Sequence, residues 1–240
     1  IATAGSIAHL GAKPVFVECG LDLNIDPKKI ENAITKKTKA IMPVHWTGRM
    51  SNIKEIYKIA KKYKLFVIED AAEALGSSYK AQKCGTFGDI GILSFNGNKI
   101  ITTSGGGAIV TKTKEWKEKA VFFATQSRDE APHYQHSEIG YNYRMSNICA
   151  GIGRGQMEVL EEHIRLRREM NIFYKSIFER IDGITLFEEP DKDYFSNHWL
   201  SSIIINKKKT GFSAEELRFF LEKNRIESRP LWKPLHLQPV

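Results

Sequence analysis

Short apolar runs alternate with amphipathic stretches over the first 111 residues. "PVFVE" (14–18), "KAIMPV" (39–44), "LFVIE" (65–69), "IGILS" (90–94) and "GAIVT" (107–111) have the length and continuity of buried strands. Between them the spacing predicts helices. Residues 27–34 begin with Pro27 behind Asp26, a cap followed by proline at the first helical position. Residues 51–63 place Ile53, Ile56, Tyr57 and Ala60 on one face behind Ser51 as N-cap. Strand–helix–strand order predicts an α/β fold with a mainly parallel sheet flanked by helices, and functional residues just beyond the carboxyl ends of the strands.

The pattern changes after residue 145. The stretch 145–181 reads as one long helix, kinked near Gly151–Gly155. "LSSIIIN" (200–206) predicts a strand, and 213–224 a helix opened by a capping box of Ser213 with Glu216. The division this suggests is a large α/β domain over residues 1–160 and a smaller α+β domain over 161–240. The chain opens without Met on "IATAGSI" and closes on "RPLWKPLHLQPV", which reads as a piece of a longer protein, cut at both ends.

Composition narrows the classes. With 240 residues, 42% of them hydrophobic, the chain can bury a full core. No apolar run approaches the ~20 residues of a membrane helix, so a membrane partner is not expected. The net charge of +8 comes from lysines scattered in short groups without interleaved aromatics, which argues for solvated surface rather than nucleic-acid binding. Three widely spaced cysteines suit reduced thiols in a cytoplasm, not a disulfide framework or a metal site.

Two residues carry the chemistry. Asp70 ends the run "LFVIED", where the sheet rule expects ligand contacts; it reads equally as the cap of a following helix, with Glu73 completing a box. Lys99 follows the strand ending in Ser94, in "SFNGNKIITTSGGG", and the glycines 105–107 suggest space kept clear around it. An acid and a lysine presented from one edge of a parallel sheet suggest pyridoxal 5'-phosphate. The lysine would bond the cofactor aldehyde, the carboxylate would pair with the ring nitrogen, and the Ser94 hydroxyl would donate to the phosphate. Taken singly, each residue also reads as a cap, a turn or a solvated loop.

The motifs "EDAAEALG", "GTFGDIGILSFNGNKIITTSGGGAIV", "GYNYRMSN" and "RPLWKPLHLQPV" resemble, in order and spacing, those of the DegT/DnrJ/StrS sugar aminotransferases. The wording around Lys99 is most similar to the PglE-like and LegC-like branch, which makes UDP-4-amino-4,6-dideoxy-N-acetyl-sugars. The resemblance implies a fold-type I aminotransferase that works as a homodimer with shared active sites. It uses glutamate as amino donor and a 4-keto-6-deoxy nucleotide sugar as acceptor. It implies Lys99 as the cofactor lysine, Asp70 at the ring nitrogen and Glu73 beside the ring. It further implies Ser94 on the phosphate and Asn142 reaching that phosphate from the neighbouring subunit. Trp232 and His236 become candidate substrate contacts, and His45 is expected to be structural. The rival readings are a transaminase for a 3-keto sugar and a non-catalytic regulatory or scaffolding relative, which would need none of these residues together.

Overall fold

The computed structural model describes residues 1–239. The chain runs through α1 (Ala2–His9), α2 (Pro27–Ala33), β1 (Ala40–Ile41), α3 (Ile53–Tyr63) and β2 (Phe66–Asp70). A small hairpin, β3 (Ser78–Tyr79) and β4 (Gln82–Lys83), precedes β5 (Ile90–Ser94) and β6 (Gly107–Thr111). Helices α4 (Lys114–Ala124), α5 (Asn147–Glu158) and α6 (Leu160–Phe178) follow. The chain ends through β7 (Ile184–Leu186), β8 (Tyr194–Phe195), β9 (Ile203–Ile205), α7 (Lys207–Thr210) and α8 (Ala214–Lys223).

The main sheet has the order β1-β2-β5-β6. β1 with β2 and β2 with β5 are parallel, whereas β6 runs antiparallel to β5. The reversal has a simple cause: the loop 95–106 contains no crossover helix, so the chain can only turn back along the same edge. The fold is α/β, and its parallel strands direct Asp70 and Ser94 to one end of the sheet. Asp70 pairs with Ile92, so Ser94, two residues on, faces the same side.

Local signals account for most of the elements. Asp26 accepts from the Lys28 N–H with Pro27 at the first position of α2. The Ser213–Glu216 capping box opens α8. Elsewhere the structure corrects the sequence reading. Asn52, not Ser51, caps α3; Ser51 is drawn inside, donating its hydroxyl to the Val44 carbonyl and its N–H to His45 Nδ1. Ile53, Ile56 and Ala60 are buried on α3, but Tyr57 is exposed. The run 14–18 forms no strand, because no neighbouring strand among the described residues pairs with it. The long helix after 145 breaks at Val159 (φ −107°, ψ 7°), not at its glycines. No helix follows Asp70; its carboxylate caps a turn by accepting from the Ala72 N–H at 3.2 Å. The strand expected over 200–206 is confined to β9.

Two apolar clusters hold this frame. Ile30, Ile41, Ile53, Ile56 and Val67 pack the helices on the sheet. Ile100, Ile101, Leu160, Ile164 and Trp199 form the second cluster, directly behind the loop that carries Lys99. Burying each such side chain stabilises the fold by roughly 1.5–3 kcal/mol, so Lys99 is anchored from its own C-terminal side. After β7 the chain returns to the first part of the molecule, where β8 pairs antiparallel with β3. β7 and β9 form a separate two-stranded sheet.

Candidate active site

Three ionisable side chains meet at the carboxyl ends of β2 and β5. Asp70 closes β2; Thr3, in the first turn of α1, donates its hydroxyl to Asp70 Oδ2 at 2.6 Å. Lys99 sits in the loop after β5, with its amine 3.7 Å from Glu73 Oε1. The side chains of Lys99 and Glu73 are 14% and 15% exposed, so their charges are largely withdrawn from water. The other oxygen of Glu73 accepts the Thr47 N–H at 2.7 Å. Burial holds the Glu73 carboxyl above the usual carboxylate range, and the charge of Asp70 pushes the same way, against the pull of the Thr47 N–H and Lys99. Asp70 and Lys99 thus both act on Glu73.

The loop around Thr47 is strained for this purpose. Thr47 has φ 52°, rare for a β-branched residue, and is buried. Next to it Gly48 has φ +90°, and a Cβ there would lie 1.8 Å from Asn197 Oδ1. The Gly48 carbonyl accepts the hydroxyls of Ser77 and Ser196. Gly48→Ala in the full-length protein should therefore cost about 2–4 kcal/mol, combining left-handed strain with a clash against a buried side chain. Urea unfolding would read this as a lowered midpoint at unchanged slope; an unchanged midpoint would contradict the packing described.

His45 and Glu69 form a buried pair beneath the cluster. Glu69 accepts from His45 Nε2 at 2.9 Å and from the N–H groups of Gly85, Phe87 and Gly88. Since His45 Nδ1 accepts the Ser51 N–H, the imidazole carries its proton on Nε2. Burial drives the Glu69 carboxyl up, yet the His45 contact and the backbone donors prevail and hold it below its usual range. Both residues are fully buried, and no hydrogen bond joins either to Lys99.

Trp199 is a feature that sequence reasoning missed. The Lys99 amine lies 4.3 Å from the centre of its indole ring. The indole N–H donates to the Asn98 carbonyl at 2.7 Å. Trp232 stacks parallel to Trp199 at 6.3 Å and meets Trp46 edge-on at 6.0 Å. Trp232 is therefore connected to the lysine through one aromatic ring. No periodicity or motif in "SNHWL" announces this, because the contact spans a hundred residues of chain.

The remaining candidates are placed as follows. Ser94 ends β5, and its oxygen accepts the Asn96 N–H at 3.3 Å, leaving the hydroxyl proton free to donate. Asn142 is exposed, and no hydrogen bond joins it to Ser94 or Lys99. His236 is exposed in a short turn over Leu235–Leu237, without a polar contact to the cluster. The glycines after Lys99 serve the sheet rather than the lysine: a Cβ on Gly107 would lie 2.4 Å from the Leu93 carbonyl oxygen, and Gly106 has φ +99°. A cavity of about 300 Å³ lined by Lys99, Ile101, Gln156, His163 and Arg167 includes none of Asp70, Glu73 or Ser94, so it flanks the cluster.

The donor set fits pyridoxal phosphate. The Lys99 amine stands 3.7 Å from a carboxylate, and a second carboxylate and a hydroxyl able to donate stand at the ends of adjacent strands, the amine, acid and hydroxyl that the aldehyde, ring nitrogen and phosphate of the cofactor would need.

Comparison with known proteins agrees. The model of the DegT/DnrJ/EryC1/StrS aminotransferase family matches residues 1–240. The chain is 44% identical over 247 residues to EpsN of Bacillus subtilis, named provisionally as a pyridoxal phosphate-dependent aminotransferase, covering 100% of this chain and 63% of EpsN. It is 42% identical over 241 residues to the GDP-perosamine synthase of Escherichia coli O157:H7, covering 100% of this chain and 65% of that protein. Helicobacter pylori PseC, an aminotransferase involved in the biosynthesis of pseudoaminic acid, superposes with a TM-score of 0.92 at 30% identity, over 99% of this chain and 64% of PseC. The chain thus spans just under two thirds of the length of these relatives.

Proposed function

The chain belongs to the DegT/DnrJ/EryC1/StrS aminotransferase family, whose cofactor is pyridoxal 5'-phosphate, and from that premise we propose what the full protein does. It moves the amino group of L-glutamate to the keto carbon of a 4-keto-6-deoxy nucleotide sugar, giving a 4-amino sugar and 2-oxoglutarate. The acceptor is a UDP-linked N-acetyl sugar, and the product feeds surface glycan or glycoprotein synthesis. The observation that carries this reading is the convergence of Lys99, Glu73 and Asp70 at the ends of adjacent parallel strands.

When bound, pyridoxal phosphate supplies an aldehyde that amino groups can bond and a protonated ring that withdraws electrons from the neighbouring carbon. Every other task falls to the chain. The Lys99 amine would hold the cofactor and, once displaced, would move a proton from one carbon to the next, a task that requires a neutral amine. The Asp70 carboxylate, held in place by Thr3 and the Ala72 N–H, would face the ring nitrogen and keep its proton there. Glu73, largely withdrawn from water beside Lys99, would stand next to the ring. Ser94 would donate its hydroxyl to the phosphate.

Asn142 acts in a second copy of the chain. It lies within an exposed apolar stretch in which Ile139 is 89% and Ile148 78% exposed, a surface suited to cover by a homodimer partner. Trp232 and His236 approach the sugar.

The UDP-linked acceptor is supported by the wording around Lys99 and by glutamate at position 73; the perosamine synthase relative is named for a GDP sugar. Glutamate-dependent amination by the full-length protein, measured across UDP- and GDP-linked 4-keto and 3-keto sugars, tests both levels. We expect turnover with a UDP-linked 4-keto N-acetyl sugar. Turnover confined to a GDP-linked or 3-keto sugar would overturn the substrate, and none with any of them would overturn the activity.

A further inference from the structure

Trp199 stands closer to the Lys99 amine than its role in the core requires. It is 3% exposed and packs with Ile100, Ile101, Leu160 and Ile164, which would be reason enough for an aromatic ring there. Packing alone does not explain how it is held. Its backbone N–H donates to Asn197 Oδ1 at 2.9 Å, and its indole N–H to the Asn98 carbonyl, one residue before the lysine. Asn197, fully buried, donates to the carbonyls of Glu73 at 2.9 Å and Leu75 at 3.0 Å. One short segment therefore fixes the backbone of Glu73 with one side chain and the surroundings of Lys99 with the next. The left-handed Gly48 leaves the room that Asn197 occupies.

Resting on the reading of Lys99 as the cofactor lysine, we infer that Trp199 is a positioning residue: its ring is the platform on which the Lys99 ammonium rests as it leaves the cofactor, before it gives up the proton and serves as a neutral base. The negative face of an indole attracts a cation, and the attraction is greatest where water is excluded, as it is around this largely buried side chain. The Glu73 carboxyl, 3.7 Å from the amine, marks the other side of the same resting place.

The platform acts on one exchange. An incoming amino donor, as its ammonium, takes over the double bond to the cofactor's aldehyde carbon. Its three nitrogen-bound hydrogens reappear on the nitrogen of Lys99, which leaves as an ammonium, so atoms and charge balance. A group that favours the departed ammonium pulls this exchange forward, and weakening that group shifts the population back toward lysine bonded to the cofactor.

The test replaces Trp199 in the full-length holoprotein with fluorinated tryptophans of increasing fluorine content. These weaken the attraction of the ring for a cation while keeping its shape. L-glutamate is titrated without a keto-sugar acceptor, and the change in the cofactor's visible absorbance gives the concentration for half-conversion. That concentration should rise stepwise with fluorination, and by about tenfold in Trp199→Leu, within the range that cation–π contacts of this burial span. If the ring served packing alone, the fluorinated series would leave it unmoved; an unmoved or falling value overturns the proposal. The fluorinated proteins keep the test decisive should Trp199→Leu fail to fold. Lys99→Ala separates the two levels: cofactor that borohydride still fixes covalently to that variant as fully as to the native protein would refute the lysine assignment itself, whatever Trp199 does.

Discussion

Lys99→Ala in the full-length protein is expected to abolish transamination and to remove the visible absorbance of lysine-bound cofactor. No neighbour can take the amine's place. Among the described residues, Lys99 is the cation that stands beside Glu73, and the second apolar cluster holds its loop so that no lysine farther along can swing in. The variant loses both the covalent attachment and the group that moves the proton, and each contributes by orders of magnitude; general acid–base catalysis alone accounts for about 10²–10⁴-fold. The fold should survive, because Ile100 and Ile101 rather than the lysine anchor the loop. Absorbance spectra before and after borohydride, with turnover measured on the same preparation, check the expectation. Substantial turnover by the alanine variant would dismiss the assignment of Lys99.

Asp70→Asn should lower turnover by about 10²–10³-fold, the scale on which removal of one preorganised electrostatic partner is felt. The change is nearly isosteric. An asparagine Oδ1 can still accept the Ala72 N–H, and the Thr3 hydroxyl can turn to accept from the new amide, so both contacts of the native carboxylate have counterparts. What disappears is the negative charge that keeps a proton on the ring nitrogen. The thermal midpoint should therefore move little while the rate falls steeply. A variant that unfolds, or one that turns over at the native rate, would contradict this account. Asp70→Ala would confuse the two effects, since it also strips the cap from the turn that follows β2.

Much of the frame was legible along the chain, because it is written in local chemistry. Asp26–Pro27 and Ser213–Glu216 open helices by satisfying their own first N–H groups. Apolar runs such as 90–94 and 107–111 form strands because each finds a neighbour to complete its backbone hydrogen bonds, β5 between β2 and β6 and β6 along β5. Misreadings came where a local signal had a distant competitor. Ser51 has the chemistry of a cap, but the buried His45 and the Val44 carbonyl claim it, and Asn52 takes the end of α3. Residues 14–18 have strand composition, yet a strand exists only when another pairs with it. The turn after Asp70 escapes helix because its carboxylate bonds the Ala72 N–H and the chain must rise at Glu73 to meet Thr47.

The sequence by itself determined the α/β alternation, the position of Asp70 and Ser94 at the ends of neighbouring strands, and a lysine waiting just past one of them. These follow from spacing, since a residue's place on a strand or at its end depends on neighbours a few positions away. Only the tertiary structure decided that Glu73 turns to Lys99 rather than to a helix end. Only there, too, does Thr3 hold Asp70, and does a tryptophan from a hundred residues onward lie against the lysine. Such contacts are set by how packed elements converge in space, and the energy that selects them resides in burial and in paired polar groups contributed by segments with no shared local signal.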